Sequence, residues 1–145
     1  DSSSSRGLGD VYKRQKQKHL ENLGRFLREI RTRYELEGDV IRVEGHTDDV
    51  PMGNKLKYAN NWELSVARAT NVGVFMIEKN GYDPDLISIT GHADTRPRVS
   101  YTSETGQRKL GKVLKQARKA NRRVDLIFAR PAASEQIRRF FPEQE

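Results

Sequence analysis

From Lys16 onward the apolar positions recur in blocks whose spacing switches between helical and extended. Leu20, Leu23, Phe26, Leu27, Ile30 and Tyr34 return every three or four residues, which predicts an amphipathic helix ended by Gly38. Val40-Ile41-Arg42-Val43-Glu44 is a short β-branched run and predicts a strand. Gly45 to Ala59 is a polar loop with Asp48, Asp49, Pro51 and Gly53. Asn60 or Asn61 can cap the next helix, with Glu63 in its first turn and Leu64, Ala67, Val72, Phe75 and Met76 on one side. Asn80-Gly81 stops that helix, and Pro84 lies beyond. Leu86 to Thr90 predicts a second strand and Gly91 to Gly106 a loop. Gln107 to Ala120 predicts a helix weakened by Gly111, and Val124 to Ala129 a third strand ended by Pro131. The order α-β-α-β-α-β is that of an α/β chain, one sheet covered by helices.

The two ends depart from this pattern. Asp1 to Gln15 has a serine run, two glycines and no apolar period. No apolar stretch follows its basic residues, so it is not a signal peptide. It resembles translated adapter sequence, or else a disordered leader, and is excluded from the expected fold. The organisation expected is thus a leader over residues 1–15, one domain over 16–130 and a tail over 131–145. The tail holds a short amphipathic segment with Ile137, Phe140 and Phe141.

Composition narrows the chemistry. The 145 residues fit one domain, and a 34% hydrophobic content is enough for one modest core. The absence of cysteine excludes disulfides and thiolate metal sites. No apolar run reaches the ~18 residues of a membrane-spanning helix. The net charge of +7 first suggests an anionic partner. That charge is local. Arg108, Lys109, Lys112, Lys115, Arg118, Lys119, Arg122 and Arg123 fall between Gln107 and Val124 with no acidic residue among them, and the rest of the chain is close to neutral. Aromatic residues are not interleaved with this segment, as a single-strand reader would require. It therefore reads as a solvated face, or as a contact to an anionic wall polymer, ahead of a nucleic-acid surface.

The first two strands end alike, in Glu44-Gly45-His46-Thr47-Asp48 and Thr90-Gly91-His92-Ala93-Asp94. Loops at the carboxyl ends of strands in open α/β sheets commonly hold ligands, and glycine lets a ligand approach the backbone. Two His-x-Asp pairs could ligate a metal, but the spacing is not diagnostic. Histidines that only hydrogen-bond within their loops are the simpler reading. Asp48 and Arg68 offer another possibility. A carboxylate and a guanidinium held apart can grip a zwitterion, one taking an ammonium and the other a carboxylate. The alternative is a plain Asp48–Arg68 structural ion pair.

Four blocks occur in order: Ile41-x-Val43-Glu44-Gly45-His46-Thr47-Asp48, Asn61-x-x-Leu64-Ser65-x-x-Arg68-Ala69, Gly91-x-x-Asp94-x-x-Pro97 and Asn121-Arg122-Arg123-Val124. They resemble the OmpA-like peptidoglycan-binding domain. Asp48-Asp49-Val50-Pro51 and Asn61-Trp62-Glu63-Leu64-Ser65 look most like its flagellar stator branch (the OmpA/MotB family). The resemblance implies a two-layer α+β sandwich of βαβαβαβ order with a mixed sheet. The first strand of that order is missing from this chain, and the last runs antiparallel, so Val124 to Ala129 should be a partly exposed edge unless the leader covers it.

The resemblance also implies non-covalent binding of peptidoglycan through the diaminopimelate of its stem peptide. Asp48 would meet the ammonium and Arg68 the carboxylate, with Thr47, Asn61, Leu64 and Arg123 lining the pocket. No enzyme activity, cofactor or metal is implied. The partner is the cell wall in the periplasm or cell envelope, with homodimerisation and a membrane-anchored parent protein as further implications. His92 and Ala93 depart from the family's usual aromatic residue and glycine, and Arg98 to Ala120 is longer and more basic than in the stator branch. The alternatives are a basic nucleic-acid-binding domain and a metal-dependent wall hydrolase using His46, Asp48 and His92.

Overall fold

The computed structural model describes residues 2–36, 38–53 and 57–129, with side chains from Lys13 onward. The tail and its amphipathic segment lie outside the described residues. The elements are α1 (Ser2–Arg33), β1 (Val40–His46), α2 (Asn61–Asn80), a 3-10 turn (Pro84–Leu86), β2 (Ile87–Gly91), α3 (Gly111–Asn121) and β3 (Arg123–Ala129). The sheet has the order β2-β1-β3, with β1 parallel to β2 and antiparallel to β3. This is the mixed α/β architecture that the resemblance implies.

The core forms where β1 meets α2. Ile41 and Val43 point from β1 into the helical layer and are fully buried, as are Ala69 and Met76 of α2; Leu27 of α1 and Tyr82 complete the cluster. The end signals act as the sequence predicts. Asn60 Oδ1 accepts the Glu63 amide at 3.0 Å, and Glu63 Oε2 accepts the Ala59 amide, which together close the first turn of α2. Gly81 ends α2 in the left-handed region at φ 68°. As expected, β3 is an edge strand whose seven residues are all half-buried. Among the described residues no helix is long and apolar enough to cross a membrane.

Two elements have bounds other than those the pattern predicts. Residues 2–15, excluded from the fold for want of periodicity, continue α1 as helix. Extending a formed helix adds one hydrogen bond per residue fixed, and no proline interrupts this stretch. The third helix begins at Gly111, not at Gln107. The residues before it form a small hairpin. Lys109 donates its amide to Tyr101 O at 2.9 Å, and Ser103 to Gln107 O at 2.8 Å. Ser103 Oγ accepts the Gln107 amide, so a local side-chain bond takes a donor that a helix would have used. Gly106 and Gly111 both take positive φ, 81° and 55°, which turns the chain into α3.

Asn121, the last residue of α3, holds the segment that leads into this hairpin. It is fully buried, accepts the Val99 amide at 2.8 Å and donates to Val99 O at 2.9 Å. Asn121→Ala removes both bonds and strands two backbone groups. It should cost about 2–3 kcal/mol, read as a lower urea midpoint with an unchanged slope.

Candidate functional site

The site is built where β1 runs into the loop toward α2. Asp48 Oδ1 accepts the Val50 amide at 3.0 Å, a local turn that curls the loop back. Asn61 Nδ2 donates to Val50 O at 3.1 Å and Asp48 O at 3.4 Å, fastening the loop to the first turn of α2. Arg68 lies two turns further along that helix. The result is an open cleft of about 250 Å³, lined by Thr47, Asp48, Asn61, Leu64 and Arg68, with Val50, Pro51 and Met52 on the loop side and Arg122 opposite. Sites that enclose a drug-sized ligand run from ~300 to 1,000 Å³; this one suits the end of a single side chain.

Five of the six residues singled out in the sequence therefore line one cleft. Arg123 does not. Its Nε donates to both carboxylate oxygens of Asp125 at 3.1 Å, and a terminal nitrogen of its guanidinium donates to Arg96 O. Its neighbour Arg122 stands in the cleft and reaches Asp48 Oδ2 at 2.7 Å. The expected alternative of an Asp48–Arg68 ion pair is not formed. Arg68 has no ion pair or hydrogen bond among the described residues, while Asp48 is paired with Arg122.

Three arginines of the basic segment, Arg108, Arg118 and Arg122, reach the aspartates of this loop, while Lys112, Lys115 and Lys119 stay exposed. Asp49 accepts from Arg118 Nε at 2.7 Å and from Arg108, whose guanidinium lies over the Tyr101 ring. Burial works to raise the Asp49 pKa, but the hydrogen bonds from Arg118 and Arg108 prevail and hold it below the ordinary aspartate value. A depressed folded-state pKa adds stability that is present above the unfolded value, near pH 4. That stability is lost as pH falls through the lower folded value. Asp49→Asn should therefore flatten the acid limb of a stability–pH curve below about pH 4.

Next to the cleft, Glu44, His46 and His92 converge. The rings of His46 and His92 stack with centroids 5.1 Å apart. Burial lowers the His46 pKa, and Arg123 adds to the effect. The expectation that both histidines hydrogen-bond within their loops is not met: neither ring nitrogen of His46, nor Nε2 of His92, has a hydrogen-bond partner among the described residues. Sequence reasoning missed Arg122 and the part Glu44 plays beside the histidines. For the second, the signal was present, since the two strand ends are alike and pair in parallel as Gly45↔Gly91. Ala93, where the resemblance expects glycine, is buried with φ 52°.

The sheet order, the cleft at the end of β1 and the blocks around it define an OmpA-type α/β domain. The OmpA family profile matches residues 13–111, and the chain belongs to that family. Motility protein B of Bacillus subtilis (strain 168) is 32% identical over 95 residues, covering 66% of this chain; the chain spans 32% of that relative's length. The cell wall anchor of the T6SS from Pseudomonas aeruginosa is similar in structure, with a TM-score of 0.57 and 29% identity over 78% of this chain and 66% of that one. The periplasmic domain of Helicobacter pylori MotB shares the fold, with a TM-score of 0.58 and 21% identity over 86% of this chain and 69% of that one.

Proposed function

We propose that this domain binds peptidoglycan without cleaving it and anchors a longer envelope protein to the cell wall. The ligand group is the side-chain end of diaminopimelate, which carries an ammonium and a carboxylate. One observation carries this reading: among the described residues Arg68 stands without a partner in the same cleft as Asp48. A guanidinium with its donors free suits a carboxylate through two parallel hydrogen bonds. Asp48 offers the complementary charge, and Arg122 occupies it as an ammonium would. The similarity to a protein named for cell wall anchoring supports the same reading, as does the likeness to motility protein B. The site of action is then the periplasm, and the nine-residue cleft acts as an attachment point for one stem peptide at a time.

The alternatives fit less well. Of the hydrolase candidates, His46 and His92 do not line the cleft, and His46 is 2% exposed. In the basic segment, Arg108, Arg118, Arg122 and Arg123 are engaged by Asp48, Asp49 and Asp125. Half of the eight cations are thus paired with carboxylates; of the rest, Lys112, Lys115 and Lys119 remain exposed, fewer than the roughly six to ten phosphate contacts of a strongly salt-dependent nucleic-acid binder. Co-sedimentation with insoluble peptidoglycan tests the proposal. Diaminopimelate-type sacculi should retain the protein with no release of reducing ends, and lysine-type sacculi should retain it poorly. Equal retention on both, or release of fragments, would contradict it.

A further inference from the structure

Glu44, His46 and His92 each present one ligand-type atom, and these atoms all lie within 4.8 Å of one another. Glu44 and His46 are 7% and 2% exposed, and the His92 side chain 13%. Buried polar atoms are normally hydrogen-bonded. Here both nitrogens of His46 and Nε2 of His92 are buried without a hydrogen-bond partner among the described residues. A single cation would take one nitrogen of each imidazole, and so satisfy two of these three atoms. His92 Nε2 stands 3.3 Å from Glu44 Oε2. Two ligand atoms bound at about 2.0–2.1 Å to one tetrahedral cation lie roughly 3.3–3.4 Å apart. This pair is already at that spacing.

We propose that Glu44, His46 and His92 form a binding site for a divalent transition cation of the zinc type. Two imidazoles and one carboxylate suit zinc, whereas magnesium and calcium take oxygen ligands. Asp125 Oδ2 lies 3.3 Å from His46 Nε2 without hydrogen-bond geometry and is engaged by Arg123 Nε, so it stands beside the three ligands with its charge already partnered. The site is buried, so the cation serves structure. It joins the end of β1 to the segment following β2, where the backbone is already linked by His92 N to Gly45 O at 3.0 Å and Thr47 N to Ala93 O at 2.8 Å. Thr47 and Asp48 of the cleft follow His46 directly, so the cation would stiffen the base of the loop that carries them.

The test is a calorimetric titration of the chelator-treated full chain with Zn²⁺, in a His19→Gln background because His19 is the one other histidine and is exposed. One Zn²⁺ per chain should bind with micromolar or tighter affinity and raise the melting temperature; Mg²⁺ should do neither. His92→Phe keeps a ring to stack on His46 but removes the nitrogens. It should weaken Zn²⁺ binding at least tenfold, as should Glu44→Gln, with the circular dichroism spectrum retained. Co²⁺ added to the His19→Gln chain, with all three ligands intact, gives a readout that does not depend on the ligand variants folding. The visible absorption of a tetrahedral centre is expected. Absence of saturable one-to-one binding, affinity unchanged in both variants, or an octahedral Co²⁺ spectrum would overturn the proposal.

Discussion

Arg68→Ala should release the domain from diaminopimelate-type peptidoglycan while leaving its fold intact. Arg68 has no ion pair or hydrogen bond to lose among the described residues, so stability should change by no more than about 0.5 kcal/mol. A carboxylate gripped by a guanidinium fork loses charge-assisted bonds worth about 1.5–3 kcal/mol each. Affinity should fall by roughly 30-fold or more. Arg68→Lys keeps the charge but not the planar fork and should fall between the two. Asp48→Ala should weaken binding similarly. It also frees Arg122 and removes the acceptor of the Val50 amide, so a stability loss of about 1–2 kcal/mol accompanies it. Sedimentation isotherms beside urea melts separate the two effects. Undiminished retention in both alanine variants would remove the assigned site.

The largest stability effect is expected at Gly45. A Cβ there would lie 1.9 Å from the carbonyl oxygen of Ser65 and 2.8 Å from its carbon. These are backbone atoms of α2, so no side-chain rotation relieves the contact. Gly91, paired with Gly45 across the sheet, is similarly tight against Ser65 and Val66. The two glycines let α2 settle onto the sheet with Ser65 fully buried between them. Its Oγ donates to Trp62 O at 2.8 Å and accepts the Ala93 amide at 3.0 Å. Gly45→Ala must push α2 outward and should cost about 3 kcal/mol or more. That corresponds to a melting temperature lower by about 10 °C. Because the same helix carries Arg68, wall retention should fall with it even below the melting transition.

Much of this arrangement is legible in the sequence. Strands β1 and β3 and helix α2 carry clear periodicity, and Asn60 and Gly81 mark the ends of α2 by side-chain and backbone chemistry that acts locally. Thr47, Asp48, Asn61, Leu64 and Arg68 were found because their blocks are short and ordered, and the structure brings them to one cleft. What failed depends on longer-range geometry. Arg122 and Arg123 differ by one position, but Arg122 caps α3 while Arg123 opens β3 opposite His46, so their side chains leave in different directions. The hairpin at Tyr101–Lys109 replaces a helical turn because serine and glycine favour local bonds that a periodicity count does not register. The meeting of His46 with His92 follows from the parallel register of β1 and β2, which the sequence does not state. Lys112, Lys115 and Lys119 of the basic segment form the solvated face that the sequence suggests, but the pairing of Arg108, Arg118 and Arg122 is not legible, because their acidic partners Asp48 and Asp49 lie some sixty to seventy residues earlier.

The most direct test is a backbone and Arg side-chain NMR titration with a soluble stem peptide ending in meso-diaminopimelate, against the same peptide carrying lysine. The diaminopimelate peptide should shift the amides of Thr47, Asp48 and Asn61 and the Arg68 guanidinium in one saturable, one-to-one process, with the lysine peptide binding at least tenfold more weakly. Equal shifts from both peptides, or shifts that leave Asp48 and Arg68 untouched, would contradict the account.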